Sequence, residues 1–447
     1  MSREEATAKS SAAAAAVAAK FSAADPPPAA LSAAEVELAD HHEKLMSQDY
    51  NRTKAGLGAG GGDKDDATAA KGVAAMYNSL ADRHRTLDAG SDILHLRNLN
   101  NFVKSVLFNK YLPKGDRQRG CAVLDLACGK GGDMLKFKAA NIAVYVGIDI
   151  AANSVRDAAV RYNGANGRAA MPFAATLMAG DYCDPTFPAK LPAHIRFGFA
   201  SCQFSMHYAF RSEAKARAFL ANTTCRLQPG GVLVASCPDA NVLVKRLRAA
   251  SGTSFGNGIY QVKFAAAHAS KAFAAAASPF GLAYTFALKE AVDECEEYLV
   301  HLPTLTRLAG EYGLELVEAS NFTDFFAAEW RRNGPLLDRM KVLPADGFVS
   351  EEEWEVAHCY MVLALRKRDD GGNVALTPPP PEANPGHRKL DADRDIIYLN
   401  PDEAPAPPPP SAAARKRPRE EAAGAAHGEE GEARSQVDYQ EQDALFD

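Results

Sequence analysis

Between residues 71 and 367, short apolar runs alternate with stretches of helical periodicity. The runs at 121–126, 143–148, 173–178, 195–200 and 231–236 are continuous enough to be strands buried on both faces. The stretches between them, 152–162 and 213–226 among others, space their apolar residues three and four apart and read as amphipathic helices. Strand and helix in alternation build a parallel sheet. Two later runs, 313–319 and 359–365, complete a Rossmann-like α/β sheet of seven strands, mostly parallel, with helices on both faces. The stretch 246–297 is too long for one crossover and is expected as an insertion over the sheet's carboxyl edge, where α/β ligands bind. Within it Glu294, Glu296 and Glu297 read as a charge run on a surface helix.

Composition separates this folded segment from its flanks. Residues 1–70 hold 21 alanines, Pro26-Pro27-Pro28 and Gly60-Gly61-Gly62, with few large apolar side chains, and are expected to be disordered. From Gly371 onward lie 12 of the 26 prolines, so 368–447 reads as a second disordered tail. From Ser411 five basic residues face nine acidic ones, and 5 − 9 = −4 of the formal net charge of −6 sits there. The folded segment is therefore close to neutral, and a nucleic-acid contact needs a local basic patch. The longest apolar run, 12–19, is far short of the roughly 20 residues a bilayer span requires, so no membrane segment is expected. The start Met1-Ser2-Arg3-Glu4-Glu5 is acidic where a secretory signal is basic, which predicts a reducing compartment and eight free thiols. None of the eight cysteines forms a C-x-x-C pair, so no metal is expected.

Candidate chemistry begins where the first strand runs into Val123-Leu124-Asp125-Leu126-Ala127-Cys128-Gly129-Lys130-Gly131-Gly132-Asp133. A glycine turn between strand and helix lets backbone N–H groups approach a ligand closely. Ser or Thr is missing after Gly129-Lys130, which excludes a P-loop, and Ala127 replaces the first glycine of a dinucleotide fingerprint. Asp149 ends the second strand, placed to accept both ribose hydroxyls of an adenosine. Asp181 follows the third strand, placed for an adenine amino group. Both NAD and S-adenosylmethionine fit these three features; the short turn with Asp125 inside the strand favours the second.

Further strings narrow the class: Tyr77-Asn78; Leu96-Arg97-Asn98-Leu99-Asn100-Asn101-Phe102-Val103-Lys104-Ser105; Ser201-Cys202-Gln203-Phe204 with His207-Tyr208; Ser254-Phe255-Gly256-Asn257 leading to Tyr260; Glu297-Tyr298-Leu299-Val300; and Glu353-Trp354-Glu355. As an ordered set with the glycine loop they resemble the mRNA cap guanine-N7 methyltransferases over most of residues 74–367. The resemblance implies methyl transfer from S-adenosylmethionine to N7 of the cap guanine, with the capped 5′ end of mRNA as partner and room for an activating subunit of the capping machinery. It implies that Lys104 pairs with the methionine carboxylate, Asp149 holds the ribose, Asp181 the adenine, and Gln203 and Tyr208 line the cofactor beside Ala127 and Gly129. It places Arg97, Asn100 and Asn101 in a cap-binding arm and Lys130, Lys136 and Arg161 on the cap phosphates. His207, Glu297 and Tyr360 frame the guanine. Family members usually carry glycine at Ala127, so the loop must here accept a Cβ.

Two other classes fit parts of the pattern: a methyltransferase of a small molecule or protein, which needs only the cofactor motifs, and a cap-binding scaffold without activity. Arg415-Lys416-Arg417-Pro418-Arg419, a basic cluster in the tail, reads as a nuclear-import signal, which suits an enzyme of nascent transcripts.

Overall fold

The computed structural model describes residues 91–114, 120–164, 169–192, 195–273, 278–344, 349–369 and 388–400. The first 90 residues, Tyr77-Asn78 among them, and the basic cluster at 415–419 lie outside the described residues.

Each of the seven apolar runs becomes a strand: β1 Ala122–Leu126, β2 Val144–Asp149, β3 Ala174–Ala179, β4 Phe197–Gln203 and β5 Leu227–Pro238, then β10 Leu314–Asn321 and β11 Tyr360–Lys367. Between β5 and β10 come β6 Ser254–Gly256, β7 Tyr260–Phe264, β8 Ala283–Leu288 and β9 Val292–Tyr298, and β12 Ile397–Tyr398 follows β11. The main sheet runs β10-β11-β5-β4-β1-β2-β3-β12. β12, β3, β2, β1, β4 and β5 are parallel, and β11 is antiparallel to both β5 and β10. All five residues of β1 are buried, as a central strand covered on both faces requires. Chain order reverses at β1, with β2 and β3 to one side and β4 and β5 to the other, so the ligand crevice opens at the carboxyl ends of β1 and β4.

The sheet has eight strands, one more than the seven the apolar runs predict. β12 lies within the stretch expected as tail: Ile397 pairs with Met178 and Tyr398 with Ala179, covering the edge of β3. A two-residue strand leaves no hydrophobic periodicity to read.

The stretch expected as an insertion folds as an antiparallel sheet, β6-β7-β8-β9. The Glu294–Glu297 run is therefore strand and not surface helix. In β9, Glu294 and Glu296 face solvent while Cys295 and Glu297 are buried, which is the alternation of a pleat. Asn257 Nδ2 donates to Glu355 Oε2 at 2.9 Å and Tyr260 Oη to Glu355 Oε1 at 3.0 Å, with Arg246 bonded to both Tyr260 and Glu355. These bonds tie the small sheet to helix Glu351–His358 and bring two strings distant in sequence into contact.

Helix Leu94–Tyr111 buries Leu96, Leu99, Phe102, Val103, Val106 and Leu107, a stripe at helical spacing. Phe108 stacks on Phe137 with ring centroids 5.1 Å apart. No side chain of its own caps its start; the Leu96 N–H instead donates to Glu353 Oε1 at 2.9 Å. Glu353 Oε2 accepts from Ser350 Oγ at 2.8 Å, so one buried carboxylate serves two helix starts.

Candidate active site

Leaving β1, the chain takes left-handed backbone at Ala127 (φ 59°), Gly129 (52°) and Gly131 (70°). A Cβ at Gly129 or Gly132 would meet nothing within 4 Å, so the turn borders open space. Asp149 is buried, with Oδ2 accepting from the Gly129 N–H and Oδ1 from the Ala151 N–H, each at 2.8 Å. Burial raises its pKa, and the two N–H groups oppose that rise. Each oxygen keeps a lone pair for a hydroxyl donor. Asp181 Oδ1 accepts from the Cys183 N–H and Oδ2 from Lys215 Nζ, both at 2.7 Å. The Gly180 N–H donates to the Asp149 carbonyl at 2.9 Å, joining the two acidic turns.

Beneath the loop lies a buried ion cluster centred on Asp133. Lys104 Nζ and Lys136 Nζ each lie 2.8 Å from Asp133 Oδ1, and Lys136 Nζ donates to Asn101 Oδ1 at 3.1 Å. Burial alone would raise the pKa of Asp133, but the two ammonium groups hold it well below the usual range. Lys136 was expected on the cap phosphates; its side chain is 5% exposed and is held in this cluster. Lys104 is likewise paired with Asp133, its side chain 14% exposed. Below them Tyr145 Oη donates to Asp125 Oδ2 at 2.8 Å, and burial together with the charge on Asp133 pushes Asp125 up.

Across the crevice, the end of β4 turns sharply at Phe204 (φ 55°), whose N–H donates to the Ser236 carbonyl at 2.9 Å. Gln203 Nε2 donates to Ser201 Oγ at 3.2 Å, leaving its buried Oε1 without a partner. His207 is 1% exposed, and neither ring nitrogen makes a hydrogen bond; Nε2 lies 3.4 Å from Glu297 Oε1. Glu297, 4% exposed, accepts a 2.7 Å bond from Tyr284 Oη at Oε2. Tyr208 packs on His207 with centroids 4.3 Å apart and places its Oη 3.4 Å from Cys295 Sγ. Tyr360 meets Phe204 edge to face at 5.2 Å and Phe322 at 5.8 Å. Arg97 Nη1 and Asn100 Oδ1, on the N-terminal helix, are also buried without a hydrogen-bond partner. Native interiors satisfy nearly all such atoms, so Gln203, His207, Arg97 and Asn100 keep hydrogen-bonding capacity for water or a ligand.

Two of the expected phosphate contacts remain at the surface. Lys130 Nζ lies 3.0 Å from Asp157 Oδ2, and Arg161 stands one turn beyond Asp157 on helix Ala152–Tyr162. The sequence strings did not single out Asp133 or Tyr284, although the acid after Gly131-Gly132 was a readable signal for the first.

Residues 62–368 match the model of the mRNA (guanine-N(7))-methyltransferase domain. The chain belongs to that family. Curated relatives agree: mRNA cap guanine-N(7) methyltransferase 1 of Oryza sativa is 40% identical over 333 residues, covering 70% of this chain and 88% of the relative. Its Arabidopsis thaliana counterpart is 40% identical over 342 residues, covering 74% and 89%. The mRNA cap guanine-N(7) methyltransferase of Schizosaccharomyces pombe is 36% identical over 303 residues, covering 66% and 82%. Members of the cap methyltransferase family depend on S-adenosylmethionine, and the residues here fit it. The Gly129 and Gly132 turn is open, Asp149 keeps two lone pairs, and Gln203 Oε1 is buried and unpartnered. Among the described residues no helix is long and apolar enough to cross a membrane, and no group of three or more His, Cys, Asp or Glu gathers as a metal site. All eight cysteines are free thiols.

Proposed function

We propose that this cap methyltransferase works by alignment and charge complementarity, without a general base. The bound S-adenosylmethionine supplies an electrophilic methyl group. Guanine N7 offers a lone pair and carries no proton, so no residue has to remove one. As the purine accepts the methyl it becomes cationic, and its N1–H and 2-amino groups become stronger donors. Glu297 is the acceptor for that edge, and the observation that carries this reading is its setting. A carboxylate 4% exposed, with one hydrogen bond from Tyr284 and His207 3.4 Å away, has acceptor capacity left over. Such a group binds the charged ring more strongly than the neutral one.

His207 lies beside Glu297 with both nitrogens unbonded and serves guanine O6 as a donor. Tyr360 or Phe204, whose rings meet edge to face, stacks on a purine whose positive charge grows, which cation–π contact rewards. Asp149 orients the cofactor ribose, Asp181 its adenine end, Lys104 its carboxylate, and Gln203 and Tyr208 border its reactive end. Lys130 and Arg161 lead the cap phosphates away from the guanine, with Arg97, Asn100 and Asn101 on the facing helix. Contacts of this kind weaken with salt and carry no base information. Transfer of labelled methyl to GpppG-ended RNA, and not to uncapped RNA or a panel of small acceptors, tests the acceptor; transfer to the small acceptors alone overturns it.

The place of action is the nucleus in this reading, on the strength of the 415–419 cluster and the family's role on nascent transcripts. A fluorescent fusion with Arg415, Lys416, Arg417 and Arg419 changed to alanine leaves the nucleus while the enzyme keeps its activity. A fusion that stays nuclear refutes the cluster. An activating subunit of the capping machinery would show as raised activity on addition of a capping-complex fraction.

A further inference from the structure

The stretch 388–399 runs along the free edge of β3 and is fastened at both ends. At its start, Asn163, the residue after helix Ala152–Tyr162, donates from Nδ2 to the Leu390 carbonyl at 2.7 Å and accepts the Leu390 N–H at 2.8 Å. Arg156 and Asp393 add an exposed pair at 3.3 Å. At its finish the Leu399 N–H donates to the Ala179 carbonyl at 2.9 Å, continuing the β3–β12 ladder, with Ile396 and Leu399 buried.

Leu399 comes to rest on Gly180. A Cβ built there would lie 2.6–2.8 Å from Leu399 Cβ, Cγ and Cδ1, and Gly180 has a φ of +152°. The leucine thus occupies space that only a glycine backbone leaves. Gly180 is held from the opposite side by its N–H bond to the Asp149 carbonyl. The peptide leading into Asp181 is therefore clamped between the ribose-side turn and the returning chain.

We propose that Leu399 is a positioning residue of the cofactor site: by seating on Gly180 it sets the turn that presents Asp181 to the adenine. The proposal rests on the reading that Asp181 faces the adenine. A stretch with the composition of a tail is then part of the cofactor site, and the site is complete only once 388–399 has folded back onto β3.

The test uses the full chain and S-adenosylhomocysteine binding by calorimetry, with steady-state kinetics in parallel. Leu399→Ala is expected to raise Kd for S-adenosylhomocysteine and KM for S-adenosylmethionine about tenfold, a loss of about 1.4 kcal/mol. Its kcat at saturating cofactor and KM for capped RNA stay within about twofold, a split that loss of stability alone does not produce. Leu399→Met, which keeps the volume, restores Kd. Should Leu399→Ala fail to fold, Asn163→Ala, which frees only the far fastening, carries the same test and is expected to raise Kd severalfold. Asp181→Ala separates the two layers. If it weakens cofactor binding and Leu399→Ala, or Asn163→Ala in its place, does not, the clamp is refuted and the adenine reading stands. If Asp181→Ala leaves Kd unchanged, the adenine reading falls and the clamp falls with it.

Discussion

Glu297→Gln probes the charge proposed to meet the guanine edge while preserving shape. In the folded chain Tyr284 Oη donates to Glu297 Oε2 at 2.7 Å, a bond that a glutamine oxygen can still accept, so the pocket keeps its form. What disappears is the carboxylate oxygen 3.4 Å from His207 Nε2 and, with it, the charge that the proposed mechanism sets against the purine. A buried hydrogen bond to a charged group is worth about 1.5–3 kcal/mol, and removing one preorganised electrostatic partner of a charged transition state costs about 2.7–4 kcal/mol. The variant should therefore lose about 10²–10³ in kcat, while S-adenosylhomocysteine Kd and thermal stability stay close to those of the parent. The assay is single-turnover transfer of labelled methyl to capped RNA at saturating cofactor, with cap-analogue affinity measured separately. A rise in KM for cap with kcat unchanged would make Glu297 a ground-state contact and refute the differential-binding argument.

Ala127→Gly relieves a non-glycine residue at φ 59°; the left-handed region costs roughly 1–2 kcal/mol, against the 0.4–1 kcal/mol that glycine adds to the freedom of the unfolded chain. The urea midpoint should stay level or rise slightly and cofactor affinity hold or improve; a large loss of either shows that the Ala127 methyl is needed where it packs. Asp133→Asn takes from Lys104 and Lys136 the buried carboxylate they pair with and should destabilise the fold by about 3–5 kcal/mol in urea titration; a shift below about 1 kcal/mol refutes the buried cluster. The depressed pKa of Asp133 also fixes the sign of an acid effect. Its contribution is fully present above the unfolded-state value near 3.9 and is lost as pH falls through the lower folded value, so acid unfolding of the parent should be steeper below about pH 4 than that of Asp133→Asn.

The main sheet was legible because its central strands are buried on both faces, and a continuous apolar run such as Val232–Ala235 permits little else. The insertion was harder, since β9 carries Glu294, Glu296 and Glu297 in a run that reads as solvated surface. Only pairing with β8, opposite Tyr284, turns Glu297 inward, and that is a long-range fact with no local signature. Asp149 and His207 could be found from their strings. The burial of Lys136 could not: a lysine two positions into a helix looks like surface until Asp133 and Asn101 close over it. The return of 388–399 was hidden for the same reason, being short, polar at its start and set among prolines.

The backbone spends its strain in a telling place. Six non-glycine residues among those described have positive φ, and Asn141, Lys271, Glu290 and Lys341 lie in loops that follow none of the main sheet's strands. The remaining two, Ala127 and Phe204, end β1 and β4, the adjacent parallel strands at which chain order reverses. Each lies at the lip where the chain must leave the sheet at once, Ala127 to turn N–H groups towards a ligand and Phe204 to bring its ring to Tyr360. A strand continuing straight on would satisfy both residues locally and would fill the crevice. Neither strained conformation would persist alone; the Cys128 N–H on the Ile148 carbonyl holds the first, and the Phe204 N–H on Ser236 holds the second. The sheet's own hydrogen bonds thus hold open the gap between the turn after β1 and the proposed guanine site, and an alignment mechanism needs that gap to be rigid, because a misplacement of about 1 Å can cost about 10² in rate.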